Sequence, residues 1–306
     1  MNRLLPAIRG DAGTEPVLDD AFVGAMREVL RHPSLDPAFK ELVLTLPTEG
    51  YVSEQLDRVD PQRVHAARDA MLKALAAALR DDWAWAFEAH QVAGGYVPDA
   101  ASAGKRSLAN LSLAMLCVDV VVRGDGVWPG RAYQRFKDAG NMTDRQGALA
   151  ALMVSGSPLA EPALERFHEI FAGDALVIDK WFALQAMAPE HDGVVFDRVK
   201  RLMKHRDFVP ANPNRARSLI ASFCMHNPAG FHRTDGAGYA FWADRVLEVD
   251  ALNPQLASRV ARALDRWSQL VEPYRSEARA AIARVAAAPK LSSDTSEIES
   301  RALATA

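Results

Sequence analysis

Hydrophobic residues recur at intervals of three and four along most of the chain, whereas the period-two alternation that indicates strands is hard to find. The stretch from Pro61 to His90 shows the helical spacing over the greatest length. Its apolar face consists of Val64, Ala67, Met71, Leu75, Ala78, Leu79 and Ala86. Asp60 can cap this stretch, and Pro61 suits the first helical position. The pattern predicts an all-α fold with one long helix over 61–90.

The same start signal, a capping Asp or Asn followed by proline, recurs further along the chain. It occurs at Asp36-Pro37, Asn212-Pro213, Asn227-Pro228 and Asn253-Pro254. A short polar side chain at this position accepts a hydrogen bond from a free amide of the first turn, and proline has no amide to lose there. Each dipeptide therefore predicts the start of a helix or turn.

Beyond residue 127 the predicted helices fall into pairs. The pairs are 127–138 with 143–155, 158–171 with 174–188, 193–204 with 213–225, and 236–251 with 253–267. Their starts recur at roughly 30 to 40 residues, the spacing of helical-hairpin repeats such as HEAT or TPR arrays. Spacing alone carries this prediction of stacked helical hairpins in a curved, HEAT-like α-solenoid. We predict a linker over 1–19, arriving from an upstream part, and one folded domain over 20–306.

Composition excludes several classes of partner. The 306 residues are 49% hydrophobic and 25% charged, with a formal net charge of −3, so the chain has the material for a core and no basic field. We expect neither a nucleic acid nor a membrane as a partner. The chain has two cysteines, Cys117 and Cys224, and each lies in an apolar stretch. This predicts buried free thiols and a cytoplasmic protein.

The sequence contains no complete motif for a zinc site or for a catalytic nucleophile. Zinc is commonly held by two histidines one helical turn apart, yet His168-Glu169 is followed by Ala172 where the second histidine of an H-E-x-x-H motif would stand. His226 and His232 are six residues apart across Asn227-Pro228, which predicts a loop lining with satisfied imidazoles. No G-x-S-x-G elbow occurs. We predict no catalytic residue and no metal ligand in this chain.

Two polar segments invite another interpretation. In 212–220, Arg215 and Arg217 lie in the first turn of a capped helix, where a positive charge opposes the helix dipole at a cost of roughly 0.3–1 kcal/mol. Either a carboxylate within the fold or a ligand should hold them. In 253–260, Gln255 and Arg259 share the polar face of a helix. They could contact peptide carbonyls and carboxylates, or simply face solvent.

Several phrases of the sequence resemble, in order, the C-terminal domain of bacterial aminopeptidase N, the alanyl aminopeptidase family. They include Gly140-Asn141-Met142-Thr143-Asp144, then Val177 to Gln185, Asn212 to Ile220, and Asn253-Pro254-Gln255-Leu256-Ala257-Ser258-Arg259. The resemblance runs from about residue 20 to the end of the chain.

The resemblance implies stacked helices that cap the catalytic domain of the same aminopeptidase and line the chamber through which peptide substrates pass. By matching position, it implies that Arg217, Gln255 and Arg259 contact the peptide beyond its scissile bond. A free-standing α-solenoid scaffold that binds peptides or proteins is the alternative.

The family's catalytic motifs do not occur in this sequence. Gly24-Ala25-Met26-Arg27-Glu28 only mimics the G-A-M-E-N motif, with an inserted arginine and with Val29 where the asparagine is needed. The resemblance therefore implies that zinc is held by the catalytic domain of a parent enzyme. We expect this chain to have no cofactor of its own and to be inactive alone.

Overall fold

The computed structural model describes residues 4–10, 18–124, 126–191 and 193–304, without the side chains of 121–123. Over these residues the chain consists of helices and their connections, and the sole β-type pairing there is an isolated bridge between Val59 and Leu270. The predicted all-α fold is confirmed.

The helices follow one another closely along the chain. The first ten are α1 (Leu4–Arg9), α2 (Asp20–Arg31), α3 (Pro37–Leu44), α4 (Glu49–Ser53), α5 (Pro61–Ala78), α6 (Arg80–Ala89), α7 (Ala100–Arg123), α8 (Val127–Asp138), α9 (Met142–Val154) and α10 (Ala160–Phe171). The others are α11 (Ala175–Ala186), α12 (Val194–Leu202), α13 (Pro213–Ala216), α14 (Ser222–His226), α15 (Pro228–Phe231), α16 (Ala237–Asp250), α17 (Pro254–Ala261), α18 (Tyr274–Ala286) and α19 (Ser293–Ala304). A π-helical segment, Arg217–Ala221, joins α13 to α14, and two short 3-10 helices follow α17.

The capping residues noted in the sequence begin helices at the predicted positions. In every case a side-chain oxygen accepts an amide from the first turn, and proline occupies the first helical position. The pairs are Asp36 Oδ1 with the amide of Ala38 (2.8 Å), Asp60 Oδ1 with Gln62 (3.1 Å), Asn212 Oδ1 with Asn214 (3.0 Å), Asn227 Oδ1 with Gly230 (3.1 Å) and Asn253 Oδ1 with Leu256 (3.0 Å). Local chemistry therefore fixes where these helices begin.

The long helix predicted over 61–90 is divided into α5 and α6 at Leu79. The backbone of Leu79 leaves the helical region, at φ −115° and ψ 22°. Nearby, the buried indole Nε1 of Trp83 donates to the carbonyl of Leu75 (3.3 Å), which also accepts the amide of Leu79 (3.2 Å). A side chain that inserts into the carbonyl ladder is an established cause of helix breaks, and it explains why the prediction of one helix was wrong.

Contacts between residues divide the chain into two compact units. The first comprises residues 1–48 and 66–169, and the second comprises 49–65 and 170–306. In the first unit α7 is central and packs against α3, α6, α8 and α9. In the second, α11 packs against α12 and the π-helical segment, while α16, α17, α18 and α19 form a packed group. The predicted pairs α8 with α9 and α16 with α17 are in contact.

Part of the segment predicted as a linker is helical. Residues 4–9 form α1, whose Leu4, Ala7 and Ile8 are buried. Residues 11–17 of the predicted linker lie outside the described residues. The division into a linker over 1–19 and a domain over 20–306 stays a prediction. None of the described helices is both long enough and apolar enough to cross a membrane.

Candidate functional site

The first candidate segment begins at Asn212 and passes through the π-helical turn. Its hydrogen bonds are local: the hydroxyl of Ser218 donates to the carbonyl of Arg215 (2.9 Å), and that of Ser222 donates to the carbonyl of Arg217 (3.4 Å). A π-helical turn carries one residue more than an α-helical turn and is frequent at functional sites. Here it begins at Arg217, one of the three predicted contact residues.

Arg215 belongs to the interior of the second unit. Its Nε donates to Asp179 Oδ1 (2.7 Å), its Nη1 donates to the carbonyl of Asp207 (2.8 Å), and the guanidinium lies 4.9 Å from the ring centre of Phe182. The Arg215 side chain is only 7% exposed. A carboxylate within the fold therefore holds this arginine, and no ligand is needed to explain it.

Arg217 is in a different environment from Arg215. Its side chain is exposed, and its Nη2 donates to the side-chain oxygen of Asn214. Within the described part of the chain it has no carboxylate partner. Since a guanidinium offers five N–H donors, most of its hydrogen-bonding capacity faces outward.

The second candidate segment is α17, which the Asn253 cap starts. Leu256 and Val260 are buried on one face, and Gln255 and Arg259 are exposed on the other. Neither of these two polar side chains has a hydrogen-bond or ion-pair partner among the described residues. The predicted division of α17 into a buried stripe and a polar face is confirmed.

The fold brings the two candidate segments onto neighbouring elements. α17 contacts the π-helical segment Arg217–Ala221 within the second unit. The position of α17 is fixed from behind, because the buried indole of Trp242 on α16 donates to the carbonyl of Val260 (3.0 Å). The amide of Asn253 also donates to the carbonyl of Val249 on α16 (2.6 Å). The side of α17 opposite its exposed face is therefore held by α16.

The two histidines near α15 lie in different environments. His232 Nδ1 lies 2.8 Å from the hydroxyl of Tyr239, and the side-chain amide of Gln62 donates to the His232 carbonyl (2.9 Å). Burial lowers the pKa of the His232 imidazole to about 4, so it is neutral at physiological pH. His232 matches the predicted satisfied imidazole, whereas His226 is exposed at the end of α14.

The two near-matches to catalytic motifs also have structural explanations. Ala172, at the position where a second histidine would be required, follows the last residue of α10. The Gly24 to Glu28 phrase lies inside α2, where Arg27 Nε binds Asp82 Oδ2 (2.9 Å). Arg31 Nε binds the other oxygen of Asp82 (2.7 Å). The inserted arginine therefore serves a fold contact.

The paired helices and the polar face of α17 define a helical-repeat domain with an outward polar surface. The chain belongs to the family described as "Domain of unknown function (DUF3458_C) ARM repeats", which matches residues 1–304. Helical repeats of this kind form solenoids, as the helix spacing predicts.

Curated relatives connect this family to aminopeptidases. The chain is 37% identical to aminopeptidase N of Caulobacter vibrioides over 295 residues, which is 96% of this chain and 34% of the relative. It is 33% identical to aminopeptidase N of Escherichia coli, over 92% of this chain and 31% of the relative.

A solved structure gives the same relationship. The crystal structure of Legionella pneumophila aminopeptidase A in complex with aspartic acid matches 96% of this chain and 35% of its own, at 27% identity and a TM-score of 0.84. This chain thus spans about a third of the length of its relatives. It corresponds to the C-terminal domain of these aminopeptidases, as the motif resemblance implies.

Proposed function

We propose that this chain caps the catalytic domain of an aminopeptidase and lines the channel through which peptides reach it. The observation that carries the proposal is the exposed, unpartnered pair Gln255 and Arg259 on α17. The neighbouring π-helical segment adds the exposed Arg217. Together the three side chains supply hydrogen-bond donors and positive charge that no carboxylate of the described chain neutralises.

The chemistry of these groups fits a peptide. A guanidinium binds a carboxylate through paired hydrogen bonds, and a primary amide can donate to a carbonyl and accept from an amide. We assign Arg217 and Arg259 to carboxylates of the peptide and Gln255 to its backbone. Such contacts lie away from the bond that is cleaved, so they act by holding and orienting the substrate.

The chemical step belongs to the part of the enzyme outside this chain. We infer that zinc lies there, since the sequence has Ala172 in place of the second histidine of an H-E-x-x-H motif. When bound, zinc would supply an activated water. This chain contributes substrate contacts and closure of the chamber, and it is inactive by itself.

Both thiols suit a cytoplasmic protein. Cys117 and Cys224 are buried and free, and burial raises the pKa of the Cys117 thiol to about 12. Burial raises the pKa of Cys224 as well. Buried thiols of this kind persist unpaired in a reducing compartment.

A hybrid enzyme tests the proposal. In it, this chain replaces the matching third of the Caulobacter vibrioides aminopeptidase N. Hydrolysis of an alanyl anilide, with zinc added, is measured for the hybrid, for this chain alone, and for the relative lacking its matching third. We expect activity in the hybrid that exceeds that of either part.

Two results would oppose the proposal. Hydrolysis by this chain alone would show that it holds an active site of its own. A hybrid no more active than the shortened relative would show that this chain completes no enzyme, and the interpretation as a free-standing peptide- or protein-binding scaffold would then stand.

A further inference from the structure

Helix α3 exposes large apolar side chains and buries its lysine. Its one lysine, Lys40, is buried with 3% exposure, whereas Phe39, Leu42 and Val43 are 49%, 71% and 38% exposed. A surface helix ordinarily places its charged side chains outward and its large apolar ones inward. These four residues of α3 show the reverse arrangement, while Leu44 at the end of the helix is buried.

The orientation of α3 is held by specific contacts. The ammonium of Lys40 donates to the carbonyl of Leu30 (3.0 Å) near the end of α2, and burial lowers the pKa of Lys40. Asp36 caps the helix start. On the side of α7, a Cβ at Gly104 would lie 3.0 Å from the backbone nitrogen of Ala38, so the two helices approach closely. A rotation of α3 that turned these side chains inward would therefore break the Lys40 contact with α2 and the close approach to α7.

The outward residues form one continuous stripe. Phe39 precedes Leu42 by three positions and Val43 by four, the spacing of neighbours on one helix face. Scattered single apolar side chains are ordinary on a protein surface, whereas a contiguous group marks an interaction site. The stripe, Phe39 with Leu42 and Val43, is here called the α3 face.

The size of the α3 face indicates the kind of partner. A stable interface between separate molecules buries about 1,200–2,000 Å² in total, more than three side chains of a two-turn helix can supply. A partner on the same polypeptide needs less, because the covalent link raises its effective concentration to the millimolar range. About two thirds of the length of each relative lies outside the region that this chain matches. In each relative, the same polypeptide therefore offers a partner large enough to cover the surface that corresponds to the α3 face.

We propose that the α3 face docks against the catalytic part of the aminopeptidase to which this chain belongs. The proposal rests on the proposed function, and it assigns the partner of one surface. The three side chains of the α3 face carry no charge, so the partner surface that they contact is apolar as well. The buried Lys40 sets the orientation that presents this face.

Thiol labelling tests the docking directly. Cys117 and Cys224 are both buried, so an introduced Leu42→Cys supplies a readily accessible thiol. Leu176→Cys is the matched control, because Leu176 is a leucine of similar exposure, 65% against 71%, on α11. The maleimide labelling rate of each position is read by mass spectrometry in this chain alone and in the hybrid enzyme.

We expect the labelling rate of Leu42→Cys to fall by about tenfold or more in the hybrid, because a docked thiol reacts only through local opening. The labelling rate of Leu176→Cys should change by less than about twofold. An unchanged Leu42→Cys rate in an active hybrid would overturn the docking proposal and leave the proposed function standing. An inactive hybrid with an unchanged rate would defeat both. A Leu42→Cys rate that falls as the concentration of the isolated chain rises would assign the α3 face to a second copy and overturn the proposal.

Discussion

Arg215 and Arg217 lie two residues apart, yet only Arg215 is enclosed by the fold. Both could be placed in the first turn of a capped helix from the sequence, with a partner or a ligand as alternatives. The sequence could not choose between them, because the carboxylate that decides the matter, Asp179, lies 36 residues away and meets Arg215 only through tertiary packing. The structure assigns the partner to Arg215 and leaves Arg217 exposed.

Replacing the two arginines should therefore have unequal effects on stability. Arg215→Ala leaves the largely buried carboxylate of Asp179 without its partner, and breaking a buried pair in this way costs about 3–5 kcal/mol. Arg217→Ala, the control two positions away, should change the free energy of unfolding by less than about 0.5 kcal/mol. Urea denaturation followed by circular dichroism measures both. Equal losses would show that the Arg215 contacts do not stabilise the fold as described.

Glu299 is a buried carboxyl group on α19. It is 1% exposed, and its Oε1 has no hydrogen-bond partner within the described structure. Burial raises the pKa of Glu299 to about 8, with the nearby Asp265 carboxylate adding to the effect. The folded protein therefore binds a proton that the unfolded chain releases at its ordinary pKa of 4.5.

The sign of the pH dependence follows from this difference. Between pH 4.5 and about 8 the folded state holds one more proton than the unfolded state, so the Glu299 contribution to stability falls as pH rises. The slope is about 1.4 kcal/mol per pH unit within this window. Glu299→Gln, which stays neutral, should flatten the fall and be more stable than the parent at pH 8. Thermal melts across this range that fall in parallel for the two proteins would contradict the assignment.

At the scale of elements, Gly238 shows how closely α16 meets the chain that precedes it. A Cβ at Gly238 would lie 1.9 Å from the carbonyl oxygen of Phe231, a backbone atom that cannot step aside. Gly130 in α8 is the contrasting case, since a Cβ there would have nothing within 4 Å.

Opposite effects on stability are therefore expected from two chemically identical substitutions. Gly238→Ala should destabilise the second unit by more than about 2 kcal/mol through forced displacement of backbone. Gly130→Ala should stabilise the protein by about 0.5–1 kcal/mol, because alanine restricts the unfolded chain and favours the helix. Differential scanning calorimetry compares the two. A neutral Gly238→Ala would show that α15 and α16 are not packed this closely.

Helix boundaries could be predicted where local side-chain chemistry determines them, and could not be predicted where tertiary contacts determine them. The Asn212 and Asn253 caps need only a short polar side chain and a following proline, so their helices begin where predicted. The break at Leu79 depends on the Trp83 indole reaching the Leu75 carbonyl, and neither proline nor glycine marks it. The π-helical segment 217–221 has no composition that distinguishes it from an α-helix.

At the scale of the molecule, this chain spans about a third of the length of its relatives. Helix periodicity was enough to place Gln255 and Arg259 on an exposed face, because burial of Leu256 and Val260 determines it. The contact of α17 with the π-helical segment joins parts of the chain more than thirty residues apart, and periodicity carries no such information. The proposed role of Arg217 comes from the motif resemblance, and the family of the chain is shown by its relatives.

The kinetics of substrate length test the central claim that α17 contacts peptide beyond the cleaved bond. KM and kcat are measured in the hybrid enzyme for an alanyl anilide and an alanyl tetrapeptide, with Gln255→Ala, with Arg259→Ala and with the exposed control Arg279→Ala. We predict that Gln255→Ala and Arg259→Ala each raise the KM for the tetrapeptide and leave the KM for the anilide unchanged. For Arg259→Ala the rise is roughly tenfold, as expected for one lost hydrogen bond to a charged group. Arg279→Ala should change neither KM. Equal changes for both substrates, or no change for either, would contradict the claim.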